Sequence, residues 1–170
     1  MGTRKIFRCF ILLAWAAFSA PTIAAEKAAT SSAKTEAKSD VERGRYLVAI
    51  SGCNDCHTPG FLTQGSKVPQ KDWLTGGTLG WRGSWGTTYP ANLRLYFQET
   101  TEDQWVQVAR EMQRRPPMPY YSLNQMTEPD VRAMYKYIRS LGPAGKPAPK
   151  YVPADKVPPQ PYVQFPDKLN

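Results

Sequence analysis

The sequence predicts an all-α fold with three main helices and a long Gly- and Trp-rich loop. Three segments carry apolar residues at helical spacing between recognisable capping residues. The 43 residues of 58–100 hold seven glycines and sustain neither a helical nor a strand period. A loop of that length inside a compact domain usually wraps something. This one carries Trp73, Trp81, Trp85 and Tyr89. Three short helices and such a loop are a poor protein core alone, and a suitable shell for a large, flat, apolar ligand.

The elements follow in chain order. Arg4, Lys5 and Arg8 precede an apolar run over 9–18 and small residues at Ala24 and Ala25, the pattern of a secretory signal over residues 1–25. Ten apolar residues are too few to span a bilayer. Extending the run to Ala25 gives the alternative, an uncleaved anchor. Residues 26–39 lack bulky apolar side chains and read as a disordered linker. The domain proper is 40–142. Its first helix is expected over 40–52, with Asp40 as N-cap and Val41, Gly44, Leu47, Val48 and Ser51 on one face. The second is expected over 101–115, with a Thr101–Gln104 capping box and a stripe of Trp105, Val108, Ala109 and Met112, stopped by Pro116-Pro117. The third is expected over 128–141, capped by Thr127, with Pro129 in its first turn and Gly142-Pro143 after its end. Residues 143–170 hold eight prolines and form a tail, either loose or laid on the domain through Tyr151, Tyr162 and Phe165.

Composition narrows the function. The chain has 170 residues and a net charge of +8, which falls to +5 once Arg4, Lys5 and Arg8 leave with the signal. That modest excess suits acidic protein partners rather than nucleic acid. A single histidine excludes two-His metal centres and bis-His haem.

Cys53-Asn54-Asp55-Cys56-His57 is a CxxCH motif, the attachment signature of c-type haem. Two thiols one turn apart add to the two vinyl groups of one porphyrin, and the following imidazole faces the iron. A redox CxxC needs a βαβ context that this sequence lacks. A tetrahedral zinc site needs a fourth ligand. A Cys53–Cys56 disulfide leaves His57 unexplained. The cofactor is therefore one covalent haem c, with Cys53 and Cys56 as thioethers and His57 on the metal. The second axial ligand must be a residue other than histidine. Met112 and Met134 lie on apolar helix stripes and read as core. Met118, in Pro116-Pro117-Met118-Pro119, has a stiffened backbone and is preferred. Met126 and an open position are the alternatives. Trp85, Tyr89, Asn92 and Arg94 are haem-pocket candidates by composition. The second ring nitrogen of His57 needs a carbonyl partner, from Pro59 or elsewhere in the loop.

The order helix, CxxCH, long loop, helix, Met, C-terminal helix resembles a class I c-type cytochrome. Gly44-Arg45-Tyr46-Leu47, Cys53 to His57, Pro117-Met118-Pro119 and residues 134–141 are similar to haem domains in cytochrome subunits of periplasmic alcohol and sugar-acid dehydrogenases. The resemblance implies that the first and last helices cross at Gly44, against an aromatic residue such as Tyr137. The expected function is single-electron transfer in the periplasm between redox proteins, a dehydrogenase or a terminal oxidase, with no small-molecule substrate and no catalytic residue. Membrane contact is expected only if the signal is uncleaved. Arg114 and Arg115 would steer an acidic partner, or merely suit a helix C-terminus. Two alternatives are an open-site haem protein with peroxidase-like or gas-binding chemistry, and a subunit of a larger dehydrogenase or oxidase complex.

Overall fold

A computed structural model describes residues 22–166. The signal segment expected over 1–25 lies almost wholly outside them. The helices are α1 (Thr22–Ile50), α2 (Cys53–His57), α3 (Phe61–Gln64), α4 (Leu93–Glu99), α5 (Glu102–Glu111), α6 (Tyr120–Asn124) and α7 (Glu128–Ser140). Three short strands, β1 (Gly80–Gly83), β2 (Gly86–Thr88) and β3 (Tyr162–Gln164), join in the order β2-β1-β3. The α class is as expected. Among the described residues no helix is long and apolar enough to cross a membrane.

The first helix departs from its predicted start. Residues 26–39, expected as a disordered linker, run within α1. Ala, Lys and Glu are strong helix formers, and extending a helix already packed at one end needs no new nucleus. Lack of bulky apolar residues does not forbid helix. Asp40 is consequently not a cap. Its carboxylate accepts instead from Lys136 Nζ of α7 at 2.6 Å.

α1 and α7 make the most extensive helix–helix contact. A Cβ added at Gly44 would stand 2.0 Å from the Ala133 carbonyl oxygen and 2.7 Å from Tyr137 Cβ. Glycine is what lets the two backbones meet, as the resemblance implied. Leu47, Val48, Val131, Met134 and Ile138 are buried around this crossing. α7 begins and ends as the caps predict, with Thr127 Oγ1 accepting from Asp130 N–H.

α5 closes the predicted capping box of Thr101 and Gln104. It stops at Glu111, four residues short of the expected Arg115. Met112 is already extended, at ψ 142°. Pro116 disfavours helix at the residue before it, and Asn124 Nδ2 donates to the free carbonyls of Ala109 and Arg110 at 2.8 and 3.1 Å.

The long loop contains more structure than its sequence period suggested. β1 and β2 form an antiparallel hairpin. α4 was not predicted; Asn92 caps it by accepting from Leu95 N–H at 3.1 Å. The tail is laid on the domain rather than loose. β3 runs parallel to β1, and Thr87 and Val152 exchange hydrogen bonds at 2.7 and 3.0 Å. Tyr151 Oη donates to the Trp85 carbonyl at 2.9 Å, and the Phe165 ring sits 5.3 Å from that of Trp85 and 6.0 Å from that of Trp81.

Candidate functional site

Gly52, at φ 69°, breaks the chain between α1 and α2. The CxxCH motif then forms a helical turn of its own, α2. Cys53 and Cys56, three residues apart, share a face of that turn, and His57 ends it. The turn is tied to the loop around it. Gly76 N–H donates to the His57 carbonyl at 2.8 Å. Buried Thr58 donates through Oγ1 to Asn54 Oδ1 at 2.7 Å and accepts from Leu74 N–H at 2.8 Å. Leu74 is fully buried with a left-handed φ of 62°. Its carbonyl accepts from Leu93 and Arg94 N–H at 3.0 and 3.2 Å. A strained leucine, held at a cost of about 1–3 kcal/mol, thus joins the motif to the start of α4.

That junction places the partner of the histidine. His57 Nδ1 lies 2.7 Å from the Ala91 carbonyl oxygen, 34 residues along the chain. A carbonyl only accepts, so Nδ1 carries the proton and Nε2 is left with its lone pair. Burial holds the imidazole pKa below its ordinary 6.5, partly opposed by the Ala91 bond. Neutral imidazole, the ligating form, therefore predominates at pH 7. Burial also pushes the Cys53 thiol up to about 12 and raises that of Cys56. A protonated, buried thiol is ill suited to thiol–disulfide exchange.

The motif opens onto a mainly apolar cavity of about 300 Å³. Cys53, Cys56 and His57 line it together with Pro117, Met118 and Pro119. All four methionines of the domain reach it. Met112 and Met134 are buried among core side chains, as their helical stripes predicted. Met118 and Met126 are half-buried. The Met118 segment is fastened by Thr88 Oγ1, which donates to the Pro116 carbonyl at 3.0 Å, and by Tyr120 N–H, which donates to the Met118 carbonyl at 2.9 Å.

Of the pocket candidates chosen by composition, Tyr89 lines the cavity, whereas Trp85, Asn92 and Arg94 do not. Trp85 packs on Phe165 and Gly83. Asn92 Nδ2 donates to the Ala144 and Lys146 carbonyls at 2.8 and 3.1 Å. The buried Arg94 guanidinium serves the carbonyls of Leu141, Gly142 and Lys71. Both polar residues serve backbone carbonyls, Arg94 just past the end of α7 and Asn92 further into the tail, which composition does not reveal. Trp81 was the residue to choose. It lines the cavity, and its Nε1 is buried without a hydrogen-bond partner. Trp81 stands on β1, whereas Trp85 lies in the turn between β1 and β2. Arg114 and Arg115 also line the cavity, on extended chain beyond α5. They are not at a helix C-terminus, so the helix-dipole explanation for them falls.

These residues fit a haem. The walls are apolar and aromatic, the paired thiols and free imidazole nitrogen open from one side, and Trp81 Nε1 is a buried donor of the kind that a propionate carboxylate would satisfy. A family model described as Cytochrome c matches residues 41–142. No curated protein and no solved structure matches the chain.

Proposed function

The chain belongs to the cytochrome c family, whose members bind haem c covalently and pass electrons between redox proteins, and from that premise we propose an exported, mono-haem electron carrier with His57 and Met118 as axial ligands. When bound, haem c supplies a one-electron ferrous–ferric couple. Cys53 and Cys56 anchor it by thioether bonds. His57 offers Nε2, its ring fixed by the Nδ1–H bond to Ala91. Met118 offers a thioether, a ligand that raises the potential. Met126 also reaches the cavity but lacks the flanking prolines that restrain Met118.

One observation carries the choice of carrier over catalyst. Among the described residues the cavity lining includes no carboxylate, and its single imidazole is that of His57. Beyond His57, neither an imidazole nor a carboxylate stands at the cavity to assist peroxide cleavage. Arg114 and Arg115 lie at the same cavity and make no ion pair among the described residues. They favour an acidic redox partner, docking weakly near the cofactor edge. The basic, apolar leader supports export to the periplasm, where the signal is removed.

Replacement of Met118 by Ala tests this reading. The haem should stay attached, while the weak red thioether-to-ferric absorption band disappears, the potential falls and the ferrous protein gains rapid carbon monoxide binding. If Met126→Ala produces these changes and Met118→Ala does not, the ligand is misassigned. Rapid carbon monoxide binding by the wild-type protein would favour an open-site sensor or enzyme instead.

A further inference from the structure

The tail beyond α7 grips both edges of the β1–β2 hairpin. On one edge β3 adds to β1, with Phe165 N–H donating to the Arg82 carbonyl at 2.7 Å. On the other, Val152 bridges to Thr87 of β2. Between them, Tyr151 touches two different parts of the site. Its hydroxyl donates to the Trp85 carbonyl at 2.9 Å, at the turn of the hairpin. Its ring lies 4.2 Å beneath the Arg115 guanidinium carbon, three residues before Met118. The hairpin itself reaches the same segment through Thr88 Oγ1 and the Pro116 carbonyl, at 3.0 Å. The Met118 segment is therefore held at Arg115 by the tail and at Pro116 by the hairpin, and the hairpin is held in turn by the tail.

We propose that the C-terminal tail, acting through Tyr151, is the positioning element that keeps Met118 closed over the sixth site. This rests on Met118 being the ligand. Residues 112–119 are extended or turn, so no helix fixes Arg115 or Pro116. Prolines stiffen the segment locally but do not attach it to anything. The attachment comes from Tyr151 and Thr88. Carbon monoxide binds ferrous iron only when the thioether is off, so its association rate reports the open population directly. A partly exposed cation–π contact is worth a roughly two- to five-fold change in such an equilibrium, and loss of the whole strap a roughly five- to thirty-fold change.

The experiment uses holoprotein in three forms besides wild type: Tyr151→Phe, Tyr151→Leu, and a chain ending at Pro149. Carbon monoxide association, the midpoint potential and the red thioether band are measured on each. Hydrogen exchange of segment 113–120 is followed in parallel. Tyr151→Phe keeps the ring under Arg115 but loses the bond to the Trp85 carbonyl, and should fall between wild type and Tyr151→Leu. Tyr151→Leu should bind carbon monoxide several-fold faster, with a lower potential and faster exchange in 113–120. The shortened chain should exceed it in all three. If it yields no holoprotein, the two single variants still decide the matter. Unchanged carbon monoxide rates and exchange in Tyr151→Leu would overturn the proposal, as would Phe and Leu variants that behave alike. A wild-type protein without the thioether band would instead overturn the Met118 assignment beneath it.

Discussion

On the α1–α5–α7 side, all six ion pairs of the described residues join one helix to another or one helical turn to the next. Arg132 alone reaches Glu102, Asp103 and Glu128. On the hairpin and tail side the same kinds of residue pair with backbone instead. Arg94 serves carbonyls at the end of α7, Arg82 Nη1 donates to the Lys156 carbonyl at 3.0 Å, and Asn92 holds Ala144 and Lys146. The helical side satisfies most of its own backbone, so most of its charged side chains pair with one another; Arg139, which donates to the Phe97 carbonyl at 2.9 Å, is an exception. The irregular side leaves carbonyls without a ladder partner, and buried carbonyls must find donors. Charged and amide side chains supply them from far along the chain. The first arrangement tolerates the loss of a single side chain; the second should not, except where the helices touch through backbone alone.

That exception gives the largest expected effect. Gly44→Ala places a methyl group 2.0 Å from the Ala133 carbonyl oxygen. Backbone atoms cannot swing aside, so α1 and α7 must part. A loss of about 3 kcal/mol is expected, at the upper end of overpacking costs. Denaturant midpoint and yield of holoprotein measure it. A variant as stable as wild type would mean that the crossing is looser than described.

Arg94→Met should come next. It leaves carbonyls of Leu141, Gly142 and Lys71 without their donor, at a cost of about 2–3 kcal/mol. Arg94→Lys should rescue little, because one ammonium cannot span the carbonyls that a planar fork reaches. Arg94 also lies in the first turn of α4, three residues along the chain from Ala91, the acceptor for His57. Both variants should therefore shift the haem spectrum slightly at low denaturant. Full rescue by lysine would show that only the charge matters here.

The same contrast explains what was legible in the sequence. Thr101 with Gln104, Thr127 and the apolar stripes of α5 and α7 act within one or two turns, and each was readable locally. So was CxxCH, whose chemistry is written in five consecutive residues. The prolines single out Met118 locally, and it lines the cavity together with the motif. Asp40 was misread because it looks like a cap at the edge of an apolar pattern, while its partner Lys136 lies 96 residues away. Asn92 and Arg94 were misread as haem contacts because a polar residue in a loop gives no sign of which distant carbonyl it serves. Ala91 was unreadable for a further reason. It contributes through its backbone oxygen, and a backbone atom leaves no mark on residue identity. Trp81 lies on β1 and Trp85 in the turn that follows it, and glycine-rich strands of three or four residues carry too few side chains to show where strand ends and turn begins.

The smallest effect is expected from the ion pairs, which test the tolerant half of the comparison. Arg43 Nε donates to Asp130 Oδ1 at 2.9 Å, and Thr127 Oγ1 lies 3.0 Å from Asp130 Oδ2. Chiefly through the Arg43 hydrogen bond, the Asp130 carboxyl is held below its ordinary 3.8. A carboxyl with a depressed pKa in the folded state binds protons more readily when unfolded. Its contribution is complete above the unfolded value, near pH 4, and declines as the pH falls towards and through the folded one. Asp130→Asn should therefore lower the denaturation midpoint slightly at pH 7, by less than either variant above. The difference from wild type should narrow below pH 4. Arg43 is half exposed, so added salt should shrink the effect further. Midpoints for the two proteins between pH 2 and 7, at low and high salt, measure all of this. A difference that stays constant through that range would assign the effect to the Thr127 cap hydrogen bond rather than to charge. A difference as large as that of Arg94→Met would mean that the helical side depends on single side chains as strongly as the hairpin side does.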